Sequence, residues 1–106
     1  MNHLTAPELA KILHEQTAKL LLLDVREPWE FETCHISASQ NIPMRTIPAQ
    51  LDNLDVNSHI VCICHHGGRS MQVANFLEQH GFKHVTNLTG GVHAWAQLVD
   101  NSMPTY

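Results

Sequence analysis

The sequence predicts an α/β fold, a mainly parallel sheet flanked by helices on both faces. Two observations carry that expectation. Apolar runs at residues 20–23 and 59–63 have the length and character of strands buried on both sides. Between them lie stretches with apolar residues at helical spacing, and strands interleaved with helices imply parallel crossover connections. A chain of 106 residues suits one domain, spanning residues 1–106, with room for a real core.

The elements follow in order. Thr5 and Glu8 read as a capping box for a first helix that buries Leu9, Ile12 and Leu13. Residues 20–23 are the first strand, with Asp24, Val25 and Arg26 at its C-terminal end. Residues 27–32 make one or two helical turns with Pro28 near their start. A short strand is expected at 41–43 and a short helix at 48–54. The second strong strand is HIVCI, residues 59–63. The helix beyond it turns Val73, Ala74, Phe76 and Leu77 inward and is capped by Gly81. Residues 84–88 are a third strand. Gly90 and Gly91 then open a last helix with Val92, Trp95 and Leu98 on one side. Trp29, Phe76 and Trp95 are expected in the core.

Composition narrows the function. A formal net charge of −4 leaves no broad cationic surface, which argues against nucleic acid as a partner. No apolar run, at 20–23 or 60–64, exceeds five residues, far too short to span a membrane. The N-terminal segment is broken by Pro7, Glu8 and Lys11 and does not read as a signal peptide. Three cysteines show no disulfide spacing, and a reactive thiol suits a reducing compartment, so the expected location is cytoplasmic.

The segment CHHGGRS, Cys64 to Ser70, carries the chemistry. A strand delivers Cys64 to the rim of the sheet, where ligands of open α/β sheets bind. Gly67 and Gly68 let the backbone curl so that its N–H groups face inward. A helix beginning near Arg69 or Ser70 aims its positive end at the sulfur. Such surroundings favour the thiolate, which is the nucleophilic form. Asp24 also sits at a C-terminal strand end, so it and Cys64 could share a site. It serves either as an orienter of the site, paired with Arg26 or the loop, or as a turn cap.

These motifs, LLLDVREPWEF, CHISASQNIP, VCICHHGGRS and LTGGVHAW, resemble those of the rhodanese domain family of sulfurtransferases, in the same order along most of the chain. The resemblance implies a sheet of about five strands and a catalytic Cys64 that takes sulfur from a donor such as thiosulfate. A persulfide forms and passes its sulfur to cyanide or a thiol. His65, His66, Gly67, Gly68, Arg69 and Ser70 would bind the substrate, with Asp24 and Arg26 in support. A carrier loaded by a protein sulfur donor, with little thiosulfate turnover, is the alternative. A phosphatase-like enzyme of the same fold would have a loop one residue longer, and the four residues between Cys64 and Arg69 favour sulfur transfer.

Arg69 is expected to hold the loop's shape by hydrogen bonds. Glu32 resembles a position that pairs structurally. Cys62 reads as core. Cys34 stands where the family usually has glycine and is a candidate second thiol. No cofactor is expected. No metal is expected either, since there is no CxxC or HxxxH frame and adjacent residues seldom both reach one tetrahedral ion.

Overall fold

The computed structural model describes all of residues 1–106 and contains one five-stranded, wholly parallel sheet. Its strands are β1 (Asn2–Leu4), β2 (Leu21–Asp24), β3 (Gln40–Asn41), β4 (His59–Ile63) and β5 (His84–Leu88), in spatial order β1–β5–β4–β2–β3. The helices are α1 (Ala6–Glu15), α2 (Pro28–Thr33), α3 (Ile47–Gln50), α4 (Gly68–Gln79) and α5 (Gly91–Leu98).

The period-two alternation of β4 splits its side chains between two cores. Ile60 and Cys62 face one side, with Leu23, Val85, Ile47, Val73 and Leu77. Val61 and Ile63 face the other, with Leu22, Leu88, Leu9, Val92 and Trp95. Thus α3 and α4 cover one face while α1 and α5 cover the other. Residues 60–63 of β4 are all essentially inaccessible to solvent, which explains their unbroken apolar character.

The caps match the sequence. Glu8 N–H donates to Thr5 Oγ1 at 3.3 Å, and Thr5 N–H donates to Glu8 Oε1 at 2.8 Å. At the end of α4, Gly81 N–H bonds the Glu78 carbonyl and Phe82 N–H bonds the Leu77 carbonyl. That is a Schellman motif with Gly81 in the left-handed position.

Several expectations need correction. β1 was not foreseen, because Asn2 and His3 are exposed and carry no apolar run; tertiary pairing with Thr86 and Asn87 makes it a strand. The β3 pairing covers Gln40 and Asn41 rather than 41–43. The helix expected at 48–54 is broken into α3 and two flanking 3₁₀ turns, Met44–Thr46 and Leu51–Asn53. Leu98 is 64% exposed and Trp29 is 60% exposed. Leu98 is the last residue of α5 and points off its buried face, and Trp29 lies edge-on to the Tyr106 ring at 5.5 Å.

Candidate active site

Cys64 is the first residue after β4, and three residues separate it from the start of α4. Its side chain is buried, 1% exposed. The Gly67 N–H donates to Cys64 Sγ at 3.0 Å. The Ser70 hydroxyl, in the first turn of α4, lies 3.3 Å from the same sulfur and 2.5 Å from Asn87 Oδ1. A hydroxyl has one proton. It can therefore rest on the Asn87 oxygen and turn to the sulfur when negative charge builds there. Asn87 in turn donates through Nδ2 to the Gly67 carbonyl at 3.3 Å, tying β5 to the loop. The N-terminus of the twelve-residue α4 adds its dipole to this donor set.

Two glycines make the loop possible. Gly67 has φ +108°, a left-handed conformation that a side chain would strain. Gly91 has φ +58°, and a Cβ there would collide with the carbonyl oxygens of Cys64 and His65. The approach is that close because α5 docks directly on the loop. Val92 N–H donates to the Cys64 carbonyl at 2.9 Å, and His93 N–H donates to the His65 carbonyl at 3.1 Å. Gly68, by contrast, is simply the first residue of α4, and a Cβ there would meet nothing within 4 Å.

Behind the loop sits a buried ionic cluster. Asp24 and Arg26 are both inaccessible, and the guanidinium bonds the carboxylate through Nε at 3.0 Å and Nη2 at 2.7 Å. The structure shows both features open to Asp24, because its carboxylate pairs with the Arg26 guanidinium and also caps the turn, accepting from the Arg26 N–H at 3.1 Å. Arg26 also donates to the Cys34 carbonyl at 2.6 Å and to the Tyr106 hydroxyl at 2.8 Å. Burial works against its charge, but the bonds to Asp24 and Tyr106 win and hold its pKa above the ordinary value.

Arg69 departs from expectation. Its guanidinium grips Glu30 with two bonds of 2.7 and 2.9 Å and is not bonded to the loop. The pairing acidic residue is thus Glu30 rather than Glu32, which faces solvent. Glu30 also accepts from the Tyr106 hydroxyl at 2.7 Å and from the Glu27 N–H at 3.0 Å. The Arg69 bonds foremost, against the opposing effect of burial, bring its pKa down to about 2. Burial and the bond to Glu30 push the Tyr106 phenol up to about 12.

All three cysteines are free. Burial, then the neighbouring Cys64, pushes the Cys62 thiol up to about 12, which suits a core residue. Cys34 is buried, with Sγ 3.9 Å from Arg26 Nη1. His65 and His66 lie at the loop's outer edge with parallel rings 4.2 Å apart. Burial, followed by His66 and His93, lowers the His65 pKa.

The structure thus brings together Cys64, the loop and Ser70, and it puts Asp24 and Arg26 into a separate buried ionic cluster bonded to Cys34 and Tyr106. Sequence reasoning missed Glu30, Asn87, His93 and Tyr106. Asn87 left no signal, because it is one of three polar residues in HVTNL and only its burial in the folded chain sets it apart.

Residues 5–98 match the model of the rhodanese-like domain. The chain belongs to the rhodanese-like domain family. A "Thiosulfate sulfurtransferase GlpE" of Pseudomonas fluorescens is 35% identical over 89 residues, covering 84% of this chain and 80% of that protein. "Rhodanese-like/PpiC domain-containing protein 12, chloroplastic" of Arabidopsis thaliana is 43% identical over 89 residues, 80% of this chain. This rhodanese-like chain spans only 30% of that longer relative. Among solved structures, a rhodanese-like domain protein from Staphylococcus aureus superimposes with a TM-score of 0.83 at 35% identity, covering 90% of this chain and 91% of that one. No helix of this rhodanese-like chain is long and apolar enough to cross a membrane.

Proposed function

We propose that this protein is a sulfurtransferase that moves sulfane sulfur from a donor such as thiosulfate to a thiophilic acceptor through a persulfide on Cys64. The observation that carries this reading is the convergence of the Gly67 N–H and the Ser70 hydroxyl on Cys64 Sγ at the positive end of α4.

In the first half-reaction the Cys64 thiolate attacks the outer sulfur of thiosulfate. The S–S bond of the donor breaks, its electron pair leaves with sulfite, and Cys64 holds a persulfide whose terminal sulfur is anionic. In the second, cyanide or a thiolate attacks that terminal sulfur and Cys64 departs as thiolate. Neither step needs an external oxidant or a general base for Cys64. What both need is stabilisation of charge on sulfur, and preorganised donors supply it. Two arginines flank the site, but Asp24 and Glu30 neutralise them. The positive potential felt by the donor anion therefore comes from the loop amides and the helix end. His65, His66, Gly67, Gly68, Arg69 and Ser70 form the binding rim in this reading, with Asp24 and Arg26 as support.

The test is intact mass after incubating reduced protein with thiosulfate. Wild type gains one sulfur atom, loses it on addition of cyanide, and Cys64→Ser gains none. A gain in both proteins would move the site to Cys34 or Cys62. The second reading is a persulfide carrier loaded by a protein partner. It draws support from the Arabidopsis relative, in which the matching part belongs to a longer protein. It predicts no gain from thiosulfate and a gain from a protein persulfide.

A further inference from the structure

The geometry points to a metal site on this protein: His65, His66 and His93 bind one divalent transition-metal ion, zinc foremost, at the outer edge of the Cys64 loop. One imidazole nitrogen from each of the three lies within 4.8 Å of the other two. Three imidazoles suit zinc, copper or nickel.

Adjacent residues rarely share an ion because an extended chain sends them to opposite sides. Here the chain curls after β4, and the rings of His65 and His66 stack face to face, 5° from parallel. The third imidazole is fixed by backbone. His93 N–H bonds the His65 carbonyl at 3.1 Å, and the absence of a side chain at Gly91 allows that approach. The His93 ring then stands 4.9 Å from His66 and 5.9 Å from His65, inclined by 48° and 47° to them. Two elements far apart in sequence are therefore locked together at the cluster.

The adjustment needed is small. With zinc–nitrogen distances of about 2.0–2.1 Å, tetrahedral ligands sit about 3.4 Å apart, so the widest pair closes by at most about 1.4 Å. The parallel stack must open so that both lone pairs converge. His66 is exposed while His65 and His93 are half-buried, so the His66 ring can swing without repacking the core. Three protein ligands leave a fourth position for water, as in open zinc sites. A bound ion would clamp the two residues that follow Cys64 onto α5.

The site does not depend on sulfur transfer, and the test separates the two. Zinc chloride is titrated calorimetrically into the Cys64→Ser protein, which removes the reactive thiolate as a competing ligand. One ion binds per chain, and the melting temperature rises with zinc concentration. His93→Gln weakens binding at least tenfold. His66→Gln, on an exposed side chain, does the same and serves if His93→Gln misfolds. His84→Gln breaks the other stacked pair of histidines, His59 and His84, at the opposite end of the strands, and leaves binding unchanged. Cobalt(II) substituted for zinc gives visible absorption that His93→Gln abolishes. No binding to Cys64→Ser, or equal losses in His93→Gln and His84→Gln, would overturn the site whatever the outcome with thiosulfate.

Discussion

Gly91→Ala is a one-carbon change whose cost follows from the contact between α5 and the Cys64 loop. Gly91 has φ +58°, and an alanine held in the left-handed region costs roughly 1–2 kcal/mol. The added Cβ also runs into two backbone carbonyls, those of Cys64 and His65, which cannot swing aside as a side chain can. Overpacking of that kind costs about 1–3 kcal/mol. The sum is about 2–5 kcal/mol, which lowers the melting temperature by about 10–20 °C in a domain of this size. Thermal unfolding followed by circular dichroism reads the first effect. Intact-mass kinetics of thiosulfate loading below the transition reads the second, because the displaced carbonyls belong to the loop that holds the sulfur. Gly68→Ala is the control. Gly68 lies in α4 with open space around it, so alanine there melts at or slightly above wild type. If Gly91→Ala melts within about 2 °C of wild type, the steric reasoning from this contact is wrong.

Further outcomes are expected at neighbouring positions. Cys64→Ser abolishes persulfide loading while the far-ultraviolet spectrum and cooperative melting persist, since the replacement is nearly isosteric and its two donors remain. Ser70→Ala slows loading about tenfold in stopped-time mass assays, the loss of one charge-assisted hydrogen bond of about 1.5 kcal/mol. Glu30 is held at about 2 against an ordinary 4.5. Its pairing therefore stabilises the fold fully above pH 4.5, and that stability is lost as pH falls through 2. Because Arg69 is partly solvated, the contribution is about 1–2 kcal/mol rather than the full linkage value. Urea titrations from pH 7 to 2 then show a flatter acid limb for Glu30→Gln than for wild type. An identical slope would remove Glu30 from the acid response.

The fold was legible where burial dictates residue type. β2 and β4 lie inside the sheet, so their apolar runs mark them directly, whereas β5 shows only Val85 and Leu88 between its turns; the caps of α1 and α4 are written in Thr5, Glu8 and Gly81. β1 and β3 were hidden or misplaced because edge pairing demands little of side chains. At the site, Cys64 and its glycine loop announced themselves by local pattern. The partner of Arg69 did not, since Glu30 stands 39 positions away in the sequence and only the assembled sheet brings them together. His93 was equally invisible, because its proximity to His65 is created by the docking of α5 and by no local spacing.

The loop that holds the sulfur is finished by residues that follow it in the chain by some twenty positions or more. Asn87 on β5 orders Ser70 and Gly67, and α5 ties down the Cys64 and His65 carbonyls. A ribosome that has released residues 1–80 has produced Cys64 but not those supports. The thiol in such a nascent chain lacks the Asn87 and α5 contacts that complete the loop. Full assembly of the sulfur's surroundings therefore waits on the docking of β5 and α5, which also completes the burial of Cys64.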